Sequence, residues 1–289
     1  MNNYCIEVQG LSKKYKSKSH DAFALKNVSF NVHSGYITGF IGKNGAGKTT
    51  TLKLILSALK KDSGHIKIFG NDKTLQHNED VGVVMDSPMY VEKWTMQDVS
   101  KAVSPFYKQW NNAAYLDYLQ KFNIDPKKKV EELSRGMKVK LQIAVALSHN
   151  AKLLILDEPT SGLDPVARDE ICDLLRDFVS DDRKSVLFST HITSDLDNVA
   201  DYIVFIHDGS IIFSGAKDTL LEKYVRIAGG MHDLDVGQKQ YVIGYREHEA
   251  GFEGMIEAQH IGKFPGVMAE DVSLDEIIIF MNKGVESNG

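Results

Sequence analysis

The sequence predicts an α/β fold built on a mainly parallel sheet, joined by an antiparallel β subdomain, a helical insert and a small C-terminal α+β domain. Three observations carry this. Short apolar runs alternate with helical segments over most of the chain, the pattern of parallel strands linked by crossover helices. One run, "YITGFI", leads straight into a glycine-rich turn and a helix. Another, "KLLILDEP", stays apolar until it delivers two carboxylates.

In chain order, Ile6 and Val8, then Val28, Phe30 and Val32, alternate with period two and read as half-buried strands. Tyr36–Ile41 is the next strand, followed by a helix from Gly47 to Leu59. Ser63-Gly64 turns into a strand over Ile66–Phe69, and Val81–Met85 is a further one. Between Pro88 and Leu147 the pattern becomes helical, with polar, aromatic-rich segments such as "SPFYKQW" and "AAYLDYLQKF"; this is the insert. Strands return at Leu153–Leu156, Val186–Phe188 and Ile203–Ile206, and Asp208-Gly209 reads as a hairpin turn into Ile211–Phe213. Beyond Glu222 turn-rich pieces surround a strand at Tyr241–Tyr245, and Ser273 with Glu276 forms a capping box opening a last helix. The expected division is a domain over residues 1–220 and an accessory domain over 221–289.

Composition narrows the function. With 43% hydrophobic residues, 25% charged and only 6 prolines in 289, the chain has the make-up of a folded protein. A net charge of −5 disfavours a general nucleic-acid coat. Cys5 and Cys172 make neither a disulfide framework nor a metal-site spacing. The start has no secretory pattern and no run approaches 18 apolar residues, so a cytoplasmic protein is expected, reaching a membrane only through a partner.

The strongest chemistry lies in Gly42, Lys43, Asn44, Gly45, Ala46, Gly47, Lys48, Thr49 and Thr50. Gly42, Gly47, Lys48 and Thr49 fit G-x-x-x-x-G-K-[ST] between a strand and a helix, the context of a P-loop NTPase. Such a loop turns backbone N–H groups toward phosphate oxygens, the lysine adds charge and the threonine hydroxyl can hold Mg²⁺. "KLLILDEP" places Asp157 where it can meet that metal and Glu158 where it can polarise a water aimed at the γ-phosphate.

With these residues, the sequence resembles the nucleotide-binding subunits of ABC transporters over residues 3–220. The Walker A motif is "GKNGAGKT", Walker B is "LLILDE", the D-loop is "SGLD" ending at Asp164, and "LSRGM" stands where the family carries its signature LSGGQ. The resemblance implies that Tyr15 stacks on adenine and that His191 in "STH" contacts the γ-phosphate. It places Asp164 at a dimer seam, and it brings Ser134, Arg135, Gly136 and Met137 to the ATP held by a second subunit. Taken without the resemblance, Tyr15 is as readily a packing residue and Asp164 a helix cap.

Three positions, in two motifs, depart from the family pattern. Asp86 occupies the usual Q-loop glutamine; a carboxylate is a hard Mg²⁺ ligand, so metal contact and a catalytic place survive in principle. Arg135 and Met137 replace a glycine and the glutamine of the signature. Arg135, Lys138 and Lys140 also crowd a helix start, where the dipole is already positive. Either Glu131 and Glu132 neutralise them or an anion belongs there.

The resemblance therefore implies a Mg-dependent ATPase whose two chains, identical or paralogous, close head-to-tail over ATP. They would drive export of a drug, antibiotic or peptide through separate transmembrane subunits that meet the chain near the loop from Asp86 to Trp94. The alternatives are a soluble ABC-type ATPase acting on ribosomes or nucleic acid, and a weakly active partner of a paralogue. The first would need a coiled-coil insertion or tandem ATPase units, both missing from this sequence. The second fits poorly with intact Lys48, Asp157, Glu158 and His191.

Overall fold

A computed structural model describes residues 3–16, 21–72, 78–86, 90–230, 233–249 and 251–286. Pro88, the expected start of the insert, lies outside these, as does the part of the Asp86–Trp94 loop at 87–89. The chain divides into two compact units, residues 1–214 and 215–289.

The first unit opens with the long strands β1 (Tyr4–Lys16) and β2 (Asp21–His33), then β3 (Ile37–Ile41), α1 (Lys48–Ile55), β4 (Ser63–Ile68) and β5 (Val81–Val84). The insert supplies α2 (Met96–Val103), α3 (Asn112–Lys121) and α4 (Arg135–Ser148). After it come β6 (Leu153–Asp157), α5 (Pro165–Val179), β7 (Ser185–Thr190), α6 (Thr193–Val199), β8 (Tyr202–His207) and β9 (Ser210–Ala216). β2-β1-β4 form an antiparallel sheet, and β5-β6-β7-β3-β8-β9 form a second sheet whose first five strands run parallel. β9 joins through the Asp208-Gly209 turn, where both residues have positive φ (43° and 76°), as a two-residue hairpin needs.

The parallel strands read as apolar runs because both faces are covered: every position of β3, β6 and β7 is buried. One core joins the two sheets across α1, with Ile6, Val8, Leu25 and Phe30 packed against Phe40, Leu52, Ile155, Leu187 and Ile206. Helix starts are locally encoded. Thr95 and Asp98 form a capping box on α2, and Asn111 and Ser134 accept backbone N–H bonds at the starts of α3 and α4. α1 ends at Ile55 rather than Leu59, because Ser57 sits in the left-handed region (φ 54°) and stops the helix.

The second unit holds α7 (Lys217–Lys223), β10 (Tyr224–Gly229), α8 (Val236–Lys239), β11 (Ile243–His248), β12 (Gly251–Glu257), β13 (Met268–Asp271) and α9 (Leu274–Glu286). Its sheet is antiparallel in the order β11-β12-β10-β13, over a core of Ile227, Leu234, Phe252, Ile256 and Phe264. The expected strand Tyr241–Tyr245 is shifted to Ile243–His248. The Ser273–Glu276 capping box is present, with Ser273 Oγ donating to Glu276 Oε2 at 2.8 Å. The unit begins at Gly215, ahead of the expected 221, because α7 runs directly into β10, the first strand of the second unit's sheet. Among the described residues no helix is long and apolar enough to cross a membrane.

The approach of α4 to the sheet is close. A Cβ on Gly82 would lie 2.6 Å from Ala146 Cβ and 2.6 Å from Leu154 Cδ2. Gly82→Ala should therefore overpack this contact and lower unfolding free energy by about 1–3 kcal/mol, read from urea denaturation; an unchanged midpoint would mean α4 can shift freely.

Candidate functional site

The parallel register assembles the site. Asp157 pairs with Ser189 across β6 and β7, and Ile41 pairs with Thr190 across β3 and β7. The residues that follow these strand ends, Gly42, Glu158 and His191, consequently emerge at one sheet edge, where ligands of open α/β sheets bind.

Between β3 and α1 the chain forms the glycine-rich loop. Gly47 caps α1 with φ 112°, and a Cβ there would meet Ala24 O at 2.9 Å, so only glycine fits. The Lys48 ammonium is 5% exposed; it donates to Gly42 O at 2.6 Å and Lys43 O at 3.3 Å and pairs with Glu158 Oε1 at 3.0 Å. Thr49 Oγ1 donates to Asp157 Oδ1 at 3.1 Å, and Ser189 Oγ donates to the same oxygen at 2.7 Å. Asp157 is 2% exposed, so its charge is tolerable only with such partners. The Thr49 hydroxyl beside the Asp157 carboxylate is a hard-oxygen pair suited to a divalent cation that takes its other ligands from phosphate and water.

Glu158 adopts a left-handed backbone (φ 50°), a strain of about 1–3 kcal/mol for a residue with a Cβ. Its N–H donates to Ser189 O and Ser189 Oγ, both at 3.1 Å. Its second carboxylate oxygen lies 2.7 Å from His191 Nδ1. The side chain thus bridges Lys48 and His191 with each oxygen assigned. A cavity of about 330 Å³ is lined by Asn44, Gly45, Gly47, Lys48, Thr49, Thr50, Asp86, Glu158, Ser161 and His191.

Other expected site residues stand outside this cluster. Gly42, Lys43 and Ala46 belong to the loop but do not line the cavity. Tyr15 is an exposed β1 residue (43%) with the Lys13 ammonium over its ring at 5.9 Å. Asp164 caps α5, accepting from Val166 and Ala167 N–H, and the Ala167 bond holds its carboxyl below the usual range. Ser134 caps α4 by accepting from Met137 N–H at 3.3 Å, and Gly136 sits in that first turn. Arg135 Nη2 lies 2.5 Å from Asp86 Oδ1 and Lys140 pairs with Glu170 at 2.6 Å. Glu131 and Glu132 do not neutralise those cations: both turn to Lys129, Glu131 through its ammonium and Glu132 through its N–H.

The ABC transporter family profile matches residues 25–161. A lantibiotic transport ATP-binding protein, SrtF of Streptococcus pyogenes, is 34% identical over 216 residues, 74% of this chain and 91% of its own length. The bacitracin transport ATP-binding protein BcrA of Bacillus licheniformis is 32% identical over 268 residues, 89% of this chain and 86% of its own. The chain belongs to the ATP-binding subunits of ABC transporters. Among solved structures, cbiO1 of Clostridium perfringens superposes with TM-score 0.63 at 26% identity, covering 76% of this chain and 91% of that one. A dimeric ABC transporter cassette, MJ0796, superposes with TM-score 0.66 at 25% identity, covering 73% and 98%. The chain is accordingly a nucleotide-binding ATPase, and the match to BcrA is long enough that it extends beyond Ser214 into the second unit.

Several residues of this ATPase were missed in the sequence. Ser189 joins the Asp157 carboxylate, to which its hydroxyl donates, to the Glu158 backbone N–H, from which it accepts. Gln142 on α4 holds Met85 twice, accepting from its N–H at 3.0 Å and donating to its C=O at 3.2 Å. Asp195 is 1% exposed and takes the Thr160 hydroxyl at 2.6 Å and the Thr190 hydroxyl at 3.5 Å, tying the turn after Glu158 to the strand before His191. Only the "D" of "STHITSD", five residues past Thr190, could have hinted at it.

Burial pushes the Asp195 carboxyl above its ordinary value, with the Glu158 charge adding and the Thr160 hydroxyl and Arg168 opposing. A carboxyl that binds its proton more tightly folded than unfolded favours folding in acid and opposes it once pH rises past the unfolded value. Relative to Asp195→Asn, the wild-type chain should thus lose stability as pH climbs from about 3.8, the ordinary carboxyl value, through the higher folded one. Urea unfolding of both proteins between acid and neutral pH checks this; a difference that grows in favour of wild type with pH would show that the hydroxyls and Arg168 outweigh burial.

Proposed function

We propose that this chain is the Mg-ATP-hydrolysing subunit of an exporter of antibiotics or peptides, closing head-to-tail with a second ATPase chain and driving separate membrane subunits. The observation that carries the catalytic reading is the Glu158 carboxylate, held with one oxygen on buried Lys48 and the other on His191. In that reading the loop 42–50 binds the phosphates, Thr49 and Asp157 take Mg²⁺, and His191 orients Glu158 toward a water at the γ-phosphate. Mg²⁺ supplies charge neutralisation at the β- and γ-phosphates when bound. Tyr15, exposed on β1, is free to stack on adenine, which is worth about 1–3 kcal/mol for a base on an aromatic ring.

Closure of two chains would bring the Ser134 hydroxyl and the Gly136 N–H, at the start of α4, to the γ-phosphate held by the facing copy. A cytoplasmic position beneath the membrane follows from attachment to the membrane subunits. A groove of about 690 Å³ runs from Thr49, Asp157 and Glu158 past Asp86 to Leu56, Val81, Val83 and Tyr107, and its apolar end is the seat those subunits would take. Phe106, 79% exposed, and Val91, 51% exposed, add apolar surface in the same subdomain. Antibiotic or peptide cargo is supported by the likeness to the lantibiotic and bacitracin transport proteins.

Glu158→Gln should bind ATP, form ATP-dependent dimers and hydrolyse more slowly by a factor on the order of 10²–10⁴, measured by phosphate release and light scattering. Wild-type turnover in that variant would remove Glu158 from the general-base role.

A further inference from the structure

Two of the three positions at which this chain departs from the family pattern, 86 and 135, are partners. Arg135 reaches from the first residue of α4 to Asp86, just past β5, with 2.5 Å between Nη2 and Oδ1. The segment is held a second time one residue earlier, where Gln142 of α4 takes both backbone groups of Met85. The guanidinium is also seated against the D-loop: a Cβ on Gly162 would come within 3.0 Å of Arg135 Nη1. Lys140, another cation of the same helix, is committed to Glu170.

We infer that Arg135 is a positioning residue that serves two anions in turn: the Asp86 carboxylate of its own chain, and the γ-phosphate carried by a second copy of this chain. The inference rests on the head-to-tail closure proposed above and names how closure is regulated. Asp86 lines the same cavity as Lys48, Thr49, Thr50 and His191, so its charge faces the polyphosphate of its own nucleotide. In the open chain Arg135 cancels that charge. On closure a phosphate, which a guanidinium binds through charge-assisted paired N–H bonds, displaces the carboxylate. Exchange is feasible because both side chains are about half exposed (50% and 52%), so water screens the pair and replaces its bonds when it opens.

The test is a cycle of Arg135→Gly, Asp86→Asn and the double variant, all in the Glu158→Gln chain with Mg²⁺ present. Binding of mant-ADP, which lacks the γ-phosphate, reads the open chain alone. Arg135→Gly should weaken it about 2–5-fold, the size of an exposed ion pair, and adding Asp86→Asn should restore it. ATP-driven dimerisation, followed by light scattering, reads the exchange. At saturating ATP, Asp86→Asn should lower the chain concentration for half-maximal dimerisation about 2–5-fold when Arg135 is present and give no such gain when position 135 is glycine. Effects of Asp86→Asn that are equal in both backgrounds, in either assay, overturn the inference. If the Glu158→Gln parent forms no dimer with ATP, head-to-tail closure and the second anion of Arg135 both fall, while the mant-ADP cycle still decides the pairing within one chain.

Discussion

A buried charge that cannot be left alone organises the catalytic edge of this ATPase. Asp157 ends a strand whose every position is buried, and its carboxylate is 2% exposed. Isolated, such a charge would cost several kcal/mol, so its position dictates those of its partners. Thr49 must start α1 within reach on one side, and Ser189 must end β7 in register on the other. Ser189 in turn accepts the Glu158 N–H, which holds that residue in its left-handed conformation and aims the carboxylate at Lys48 and His191. The glycine-rich loop, the turn at Glu158 and His191 are therefore tied to one another through a single satisfied carboxylate.

The sequence exposes the parts of this arrangement that are local. The glycine-lysine-threonine spacing is contiguous, and the apolar runs at β3, β6, β7 and β8 announce strands because both faces of the sheet are covered. Capping residues announce themselves for the same reason: Ser273 and Glu276 are three residues apart and bond each other. The end of α1 was misread because nothing in the composition of "LILSALKKD" signals that Ser57 adopts a positive φ.

What stayed hidden is ordinary residues with distant partners. Ser189 is one serine among many, and its meaning comes from Asp157, 32 positions away. Gln142 lies in an apolar helix and its partner Met85 is 57 positions off. The cations at the start of α4 invited a local explanation, neutralisation by Glu131 and Glu132, and that explanation fails because Lys129 is nearer to both. Charge pattern reports that a cation needs an anion; only the fold says which one.

The division between hidden and legible contacts coincides with a division in mobility. Lys48, Asp157 and Asp195 are buried, and separating any of them from its partners would leave a charge or hydroxyl unpaired in low dielectric, at about 3–5 kcal/mol for a broken buried pair. Such a contact opens only when a replacement partner takes its place, as a phosphate would for Lys48. Arg135 and Asp86 sit at the rim, where water takes over whichever bonds are released, so re-pairing costs about 0.2–1 kcal/mol. The proposed cycle between open and closed states needs both kinds of contact, with the exchangeable one where the second chain would arrive. A charged pair at two positions where the family pattern has a neutral glutamine and glycine would, in the proposed closure, add an adjustable threshold there: the facing phosphate would have to outcompete a carboxylate before α4 could engage it.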